Sequence, residues 1–363
     1  MKLISPVLKH VVYPGLSRVG YRHPGSSGPV VLTYHGVFPE GYKPIDPDLD
    51  GSLVTAVALR RQLRILQDQY HVIAPEEFLL WCQTGHVLPP RSVLLTCDDG
   101  LRNSLTHMLP VLREFQLPCL FFVTGASLAP ASTMLWYEEL YLMFLAVAEG
   151  FNFELPEVGL RTRVESRREK RVLWWVLVRK LSRYDASRRQ VLLRTVRMQL
   201  GLADGWQSAF YEDPVFSGRF LTMNRSELCE LAAAGGYIGA HTLTHPMLSQ
   251  SSTETAWNEI FECKLGLESA LDRNIWALAY PFGDLASTTS REFQMAQRAG
   301  YQCAFVNVSG DIESKTSKFA LPRMHVTANM TDSEFEAHVS GLQQFLRQFV
   351  RPAKMSAAAG SNS

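Results

Sequence analysis

The chain has 363 residues, and its 36 Lys and Arg against 35 Asp and Glu leave a formal net charge of +1. With 46% hydrophobic and 20% charged residues, its composition is that of an ordinary globular protein. These values exclude a disordered chain, a collagen-like chain and a uniformly basic nucleic-acid-binding protein, so we expect no nucleic acid partner. The length suits one large domain or two of modest size.

The near-zero net charge conceals a local asymmetry. Residues 161–197 contain thirteen Lys and Arg against three Asp and Glu, which gives this segment a charge of +10 and leaves −9 for the remainder of the chain. The neutral total therefore combines two regions of opposite sign, and each of them can favour a different partner.

The six cysteines show no regular spacing and no Cys-x-x-Cys pair, so we predict buried free thiols and a reducing compartment. Lysines and prolines interrupt the apolar runs of the first 22 residues, and no signal peptide is predicted there. No stretch approaches the ~20 apolar residues of a membrane span. We therefore expect a cytoplasmic protein and leave peripheral attachment to a membrane open.

Short apolar segments bounded by turn residues recur along the chain, which is the pattern of buried parallel strands. In chain order these segments are Val30–Tyr34, Val93–Cys97, Cys119–Val123, Tyr237–Ala240, Ile275–Tyr280, Cys303–Val306 and Ala320–His325. Helical periodicity separates many of them, with apolar stripes over residues 105–115, 260–271 and 335–346. This alternation predicts an α/β fold with a parallel sheet or barrel.

More than a hundred residues separate the strand that ends at Val123 from the strand that begins at Tyr237, and much of this stretch has a helical pattern. Because a structureless loop longer than ~15 residues is improbable, we interpret residues 130–220 as a basic helical insertion. The predicted organisation is an N-terminal segment (1–29), a split α/β domain (30–129 and 221–350), this insertion, and a disordered tail (351–363).

One predicted strand ends at two adjacent carboxylates, Asp98 and Asp99, which are followed by Gly100. In parallel α/β proteins, functional sites are built at the carboxyl ends of strands. Two neighbouring carboxylates repel each other unless a cation or a division of roles relieves them. A loop whose first Asp caps the next helix is an equally good explanation of this fragment alone.

A second strand end carries His241 and His245, four residues apart. Two imidazoles at this spacing converge on one ion where the segment makes a helical turn. With one carboxylate of the Asp pair they form a His₂Asp set, which suits a catalytic zinc site with positions left for water and substrate. The second carboxylate can supply the base that a hydrolytic site needs.

A third strand end carries the turn Tyr280-Pro281-Phe282-Gly283. This stiff aromatic turn can line a pocket and offer a backbone N–H to an oxyanion. Taken alone, a purely structural turn explains the same residues better.

Together the three motifs resemble those of the polysaccharide deacetylases, a family that includes chitooligosaccharide deacetylases and peptidoglycan N-acetylglucosamine deacetylases. The family motif Thr-Phe-Asp-Asp-Gly matches residues 96–100 with one substitution, at Cys97. The motif His-Ser/Thr-x-x-His with its trailing Pro matches residues 241–246, and the aromatic-Pro-aromatic-Gly turn matches residues 280–283. The opening strand, residues 32–37, resembles that of one branch of the family.

The resemblance covers roughly residues 30–123 and 221–326 and skips the insertion. It implies an α/β fold of the distorted (β/α) barrel type, with fewer strands than the usual eight. It also implies a metal-dependent hydrolase that removes the acetyl group from an N-acetylated sugar of a polysaccharide or a glycan precursor. Zinc is the first candidate for the divalent metal.

The resemblance also assigns roles to single residues. Asp98 is the general base, and Asp99, His241 and His245 bind the metal. The backbone N–H of Phe282 helps to hold the oxyanion. Tyr280 and Pro281 of the same turn line the substrate site.

The sequence departs from the family pattern at the arginine that often heads the aromatic turn, where it orients the catalytic aspartate. Ala279 occupies that place, and Arg323, near the next strand end, is the candidate replacement. The acid histidine of the family is ambiguous as well. We prefer His35 slightly over His325, because Arg323 and His325 would otherwise both have to face inward. A structural role for either histidine stays open.

The apolar segment Arg171–Lys180 has basic ends and lies in the +10 region, which we expect outside the catalytic barrel. A helical subdomain with a solvated basic face is the simpler interpretation. The alternative is contact of residues 161–197 with an anionic membrane surface or a phosphate-bearing, lipid-linked glycan.

Two rival functions remain open. The first is hydrolysis of a different non-peptide carbon–nitrogen amide on the same scaffold, and the second is glycan binding by a catalytically silent protein. The complete set of Asp98, Asp99, His241 and His245 argues against the silent protein.

Overall fold

The computed structural model of the protein describes residues 28–313 and 315–342. Most of the predicted N-terminal segment, the predicted tail and the end of the last predicted helical stripe lie outside the described residues. Within the described residues, no helix is long and apolar enough to cross a membrane.

A curled parallel sheet forms the centre of the fold. Its strands are β1 (Val30–Tyr34), β2 (His71–Val72), β3 (Ser92–Cys97), β4 (Leu120–Val123), β7 (Tyr237–Ala240), β8 (Ala277–Ala279), β9 (Cys303–Phe305) and β10 (Met324–His325). Their spatial order is β10-β1-β3-β4-β7-β8-β9, and β2 pairs with the first two residues of β3. Every pairing in this sheet is parallel.

Helices connect and cover these strands. They are α1 (Pro47–Asp50), α2 (Ala56–Gln69), α3 (Pro75–Thr84), α4 (Leu109–Glu114), α5 (Trp136–Ala146), α6 (Arg167–Leu181), α7 (Ala186–Gln199), α8 (Ser208–Glu212), α9 (Pro214–Phe220), α10 (Arg225–Ala233), α11 (Thr253–Leu271), α12 (Ser290–Arg298) and α13 (Asp332–Val339). Side-chain caps begin many of them; Asn224, for example, forms a capping box with Glu227 at the start of α10.

The two edges of the sheet approach each other through the segment that leads into β10. Leu321 forms a parallel bridge with Phe305 of β9, and three residues later Met324 pairs with Leu32 of β1. The sheet therefore curls into a barrel-like body with fewer strands than a (β/α)₈ barrel. This observation confirms the predicted α/β fold of the distorted barrel type.

Alternation along the strands separates the barrel interior from the outer layer. Val31, Leu94 and Phe122 belong to an interior cluster, whereas their chain neighbours pack under the helices in a second, larger cluster. Because alternate residues of a strand face the same side, Thr96 and Asp98 point inward as Leu94 does. Asp98 therefore lies at the top of the barrel interior.

Residues between β4 and β7 form the predicted insertion, which has a core of its own. Phe144, Phe153, Leu177 and Leu192 are buried together there. Most of the insertion is helical as predicted, but it also contains an antiparallel hairpin of β5 (Phe151–Leu155) and β6 (Leu160–Val164) that the sequence analysis did not predict. Short alternating segments between two strongly helical stretches gave too weak a signal for that hairpin.

Candidate metal and active site

The carboxyl ends of β3 and β7, which flank β4, bring two of the sequence motifs together. Asp98 and Asp99 follow β3, while His241 and His245 follow β7. All four side chains are buried, with exposed fractions of 5% or less. The polar ends of the strands therefore form one compact cluster at the top of the barrel.

Three of these side chains have the geometry of a metal-binding set. The Nε2 atoms of His241 and His245 lie 3.5 and 3.2 Å from Oδ1 of Asp99. One potential ligand atom from each residue falls within 4.8 Å of the other two. This arrangement leaves room for one cation between two imidazoles and a carboxylate, which is a common set for zinc.

The hydrogen bonding of the three residues also fits a cation. Nδ1 of His241 lies 2.7 Å from the carbonyl oxygen of Ala279, so a proton on Nδ1 leaves Nε2 with a free lone pair toward the centre of the cluster. Oδ1 of Asp99 is buried without a hydrogen-bond partner in the described residues. Burial opposes ionisation of Asp99, but the two imidazoles hold its pKa well below the usual range. An ionised, unpartnered oxygen is a ready cation ligand.

Asp98 has a different environment from Asp99. Nη1 and Nη2 of Arg323 donate to its two carboxylate oxygens at 2.7 and 2.6 Å, a bidentate pair that is fully buried. Burial alone would raise the pKa of Asp98, but the Arg323 guanidinium outweighs it and lowers that pKa. The guanidinium also lies over the rings of Phe122 and Phe305 in the barrel interior.

His35 follows β1 and His325 ends β10, the strand next to β1 in the sheet, and their ring centroids lie 4.6 Å apart. Nδ1 of His35 and Nε2 of His325 are both buried without a hydrogen-bond partner in the described residues. Arg323 and His325 both face the site, because residues two apart in a strand point to the same side. The argument that their inward orientation would be an obstacle was therefore wrong.

Burial, together with the neighbouring His35, lowers the pKa of His325 to about 3. His325 is thus a neutral imidazole near pH 7, able to accept or donate a hydrogen bond but not charged.

The aromatic turn contributes the side chains of Tyr280 and Phe282 and one backbone group to the site. The ring of Phe282 packs 4.8 Å from the ring of His245. No hydrogen bond within the described part of the chain occupies the backbone N–H of Phe282. Tyr280 also lines the cavity, although its side chain is fully buried and its hydroxyl donates to the carbonyl of Phe319. Gly283 has a φ of +64° and lies close to Asn307. A Cβ on residue 283 would come within 2.5 Å of the backbone nitrogen of Asn307.

Backbone strain concentrates at these motifs. Seven non-glycine residues in the described segments have positive φ, and Asp99, Thr242, His245 and Phe282 are four of them. A bulky residue such as Phe rarely adopts this conformation, and strained positions of this kind cluster at functional sites. The fold therefore holds the metal-binding loop and the aromatic turn in geometries that their local sequences do not favour.

The insertion supplies side chains to the site that sequence reasoning missed. The ring of Tyr137, on α5, lies 4.7 Å from the ring of His245 and 5.5 Å from that of Phe282. On α6, the ring of Trp175 lies 5.9 Å from Phe282. The aromatic residues at the start of α5 and within α6 were visible in the sequence, but nothing local indicated that they would face the barrel.

A cavity of about 650 Å³ opens above the metal-binding set. Asp98, Asp99, His35, His245 and Phe282 are among its lining residues. The lining also includes a row of insertion residues on α6, namely Arg171, Val172, Trp174, Trp175, Val176 and Arg179. The basic segment belongs to the stretch between β4 and β7 and not to the barrel strands, but this stretch folds over the barrel, and part of the segment forms one wall of the cleft.

Comparisons with known proteins agree with the motifs. A family model described as polysaccharide deacetylase matches residues 215–304, a quarter of the chain that holds the His motif and the aromatic turn. A Bacillus subtilis protein described as "Putative polysaccharide deacetylase YxkH" is 22% identical over 121 residues. That match spans 33% of this chain and 42% of the length of the relative.

Solved structures share the fold. The Streptococcus pyogenes deacetylase PplD in complex with acetate has a TM-score of 0.54 and 17% identity, over 90% of this chain and 100% of that one. IcaB from Ammonifex degensii has a TM-score of 0.52 and 16% identity, over 86% and 97%. BC0361, a polysaccharide deacetylase from Bacillus cereus, has a TM-score of 0.50 and 15% identity, over 86% and 69%.

The fold and the site together define a curled parallel barrel with a buried His₂Asp set at its carboxyl-terminal face. The family match and the shared fold confirm the resemblance of this chain to the polysaccharide deacetylases.

Proposed function

We propose that this protein is a metal-dependent deacetylase that acts on an N-acetylated sugar of a polysaccharide or a glycan precursor. The observation that carries this proposal is the pairing of two differently equipped carboxylates in one cleft. Asp99 lies with two imidazoles in a metal-binding geometry, while Asp98 beside it is held by Arg323. One carboxylate is thus available as a ligand and the other as a base.

A divalent ion held by Asp99, His241 and His245 would supply Lewis-acid polarisation of the acetamide carbonyl. Zinc suits this donor set best, because two imidazole nitrogens and one carboxylate oxygen make up its usual three-ligand catalytic site. A similarly folded protein, the Streptococcus pyogenes deacetylase, carries acetate in its structure, and acetate is the acid that removal of an acetyl group releases.

The chain's own residues divide the proton transfers. Asp98 accepts a proton from the attacking water, whose oxygen forms a bond with the acetyl carbon. The backbone N–H of Phe282 is free to donate to the oxygen on which negative charge develops. As the carbon–nitrogen bond breaks, a protonated histidine gives its proton to the leaving nitrogen. Acetate and a free amino sugar result.

We assign the proton-donating role to His35. His35 lines the cavity, and its buried Nδ1 has no hydrogen-bond partner in the described residues, so this nitrogen is free to serve the leaving group. The ring of His325, whose pKa burial lowers to about 3, packs beside it at 4.6 Å. In this assignment His325 orients His35, and Arg323 orients Asp98.

Acetate release from N-acetylglucosamine oligomers is the direct test. We expect release with added zinc, loss of release with a chelator, and recovery when zinc is restored. Asp98→Asn should abolish release while zinc binding persists, and His245→Ala should abolish both. Binding of the oligomers without release would support the silent glycan-binding protein, and release only from other amides would support the other hydrolase.

Contact of residues 161–197 with an anionic membrane or a lipid-linked glycan stays a prediction, as does the cytoplasmic location. Five of the thirteen basic residues in this segment form ion pairs, and three more donate to carbonyl or hydroxyl groups. Most of the basic side chains in this segment therefore have partners within the protein, which favours the interpretation as a packed helical subdomain over contact with a membrane. Flotation with anionic and neutral liposomes tests the membrane contact, and equal recovery with both lipids would exclude an electrostatic one.

A further inference from the structure

The wall of the cleft formed by α6 carries a regular row of side chains. Arg171, Trp175 and Arg179 are spaced four residues apart, so they lie along one stripe of the helix, and all three line the cavity. The stripe extends over about 12 Å, at 1.5 Å of rise per residue. An aromatic ring thus lies between two guanidinium groups at the entrance of the proposed active site.

Trp175 connects this stripe to the metal-binding set. Its ring lies 5.9 Å from the ring of Phe282, and Phe282 lies 4.8 Å from the ring of His245. Only one aromatic ring therefore separates Trp175 from a proposed metal ligand. A sugar bound at the metal would leave its neighbour in the same chain beside Trp175.

Arg171 and Arg179 differ in whether an acidic side chain pairs with their positive charge. Arg171 lies 3.5 Å from Asp48, another residue of the cavity lining. Arg179 is exposed, and no acidic side chain in the described part of the chain forms an ion pair with it. Among the other acids of the cleft, Asp98 pairs with Arg323, Asp284 accepts from backbone N–H groups, and Asp99 belongs to the proposed metal-binding set.

The cleft also continues past α6. A second cavity of about 490 Å³ shares Val172 and Val176 with the first and reaches the hairpin strand β6. Arg168 lines this second cavity. The surface can therefore accept a chain longer than one sugar, and its positive side chains accompany that chain away from the reaction centre.

We propose that the α6 stripe is a specificity subsite for an anionic group, a phosphate or a carboxylate, on a sugar next to the N-acetylated one. Arg179 pairs with the anionic oxygens, Trp175 stacks on the sugar ring, and Arg171 contributes by exchanging Asp48 for the ligand. This inference rests on the proposed deacetylase function and names its substrate class as an acidic glycan.

The test compares a neutral N-acetylglucosamine oligomer with the same oligomer carrying a phosphate or a carboxylate on one primary hydroxyl position. For the wild type we expect a higher kcat/KM on both anionic oligomers, and a preference that declines as salt is added. Arg179→Gln should reduce the ratio of anionic to neutral kcat/KM by about tenfold, since a charge-assisted contact at an exposed site is lost. Arg183→Gln, an exposed change just beyond α6, is the matched control and should keep the wild-type ratio.

A binding measurement separates failure of this subsite from failure of the proposed function. Calorimetric titration of both oligomer types into Asp98→Asn, with and without Arg179→Gln, needs no turnover. Loss of anion preference with Arg179→Gln would support the subsite even if no acetate is released. Equal affinity for neutral and anionic oligomers, or a preference that Arg179→Gln leaves intact, would overturn it whatever the catalytic result. A preference for only one of the two anions identifies the group that the subsite recognises.

Discussion

At the bottom of the cleft, Arg323 donates two hydrogen bonds to Asp98 and a weaker one, at 3.3 Å, to the hydroxyl of Thr96. Its Nε also lies 3.3 Å from the carbonyl of Val306. These contacts fix both the position and the charge of the proposed base. The paired hydrogen bonds to Asp98 require the planar guanidinium of an arginine, and the ammonium group of a lysine cannot reproduce them.

We expect Arg323→Lys to lower kcat by roughly a hundredfold while zinc affinity changes by much less, because proton transfer by a positioned base contributes about that amount. Charge reversal at Arg323 should lower kcat further. Steady-state kinetics and calorimetric zinc titration on the same preparations make the comparison. Parallel losses of turnover and zinc affinity would instead indicate a general structural role for Arg323.

His35 and His325 give a second prediction at the same scale. If His35 is the acid, His35→Ala should reduce kcat by about a hundredfold or more with zinc still bound. His325→Ala should have a smaller effect, and His325→Gln should restore part of it, because an amide can still orient His35. The reverse order of effects would assign the acid to His325. Zinc content measured on each variant excludes loss of the metal as the cause.

At the scale of elements, the insertion holds the loop that carries His241 and His245, the proposed metal ligands. The Arg189 guanidinium, on α7, donates to the hydroxyl of Thr244, which in turn donates to Glu259 on α11. The backbone N–H of Thr244 donates to the same carboxylate at 2.7 Å. The indole of Trp136, on α5, donates to the carbonyl of His245 at 3.1 Å. Helices of the insertion thus anchor a loop of the barrel.

Thr244→Val should therefore weaken zinc binding by about tenfold, as outer contacts of a metal site commonly do. It removes the hydroxyl between Arg189 and Glu259 while keeping the size of the side chain, whereas Thr244→Ser keeps the hydroxyl and should bind zinc normally. Competition with a chelator of known affinity measures both. If Thr244→Val lowers only the thermal midpoint and leaves zinc affinity intact, the anchoring stabilises the fold without tuning the site.

This anchoring also explains what the sequence could and could not predict. The three motifs were predictable because each follows a short apolar strand, and parallel strands bring their carboxyl ends to one edge. Arg323 was a candidate because it lies near another such end. Tyr137, Trp175 and Arg189 were not predictable, because their positions depend on how a helical subdomain with its own core packs on the barrel. That packing is tertiary and leaves no periodic signal.

For the whole molecule, a buried charge cluster joins the insertion to the barrel. Arg219, on α9, pairs with Asp50 of α1 at 2.8 Å and with Glu138 of α5 at 2.9 Å. All three side chains are buried. Two carboxylates facing one guanidinium leave an excess negative charge when both are ionised. Burial first, and then the nearby charges of Asp99 and Asp50, raise the pKa of Glu138 to about 7 against the opposing Arg219.

This raised pKa makes the junction sensitive to pH. An unfolded glutamate ionises near its ordinary value of 4.5, whereas folded Glu138 keeps its proton up to about 7. Its contribution to stability is therefore fully present below pH 4.5 and is lost as the pH rises toward 7, by about 3 kcal/mol in total. The Glu138→Gln variant cannot ionise at this position. The difference between its free energy of unfolding and that of the wild type should therefore rise by about that amount between pH 4.5 and 8. Denaturant unfolding of both proteins across this range measures the difference, with Glu157→Gln, an exposed position of the insertion, as the control. A difference that does not change with pH would show that Glu138 is already ionised in the fold, and that the junction tolerates its second negative charge.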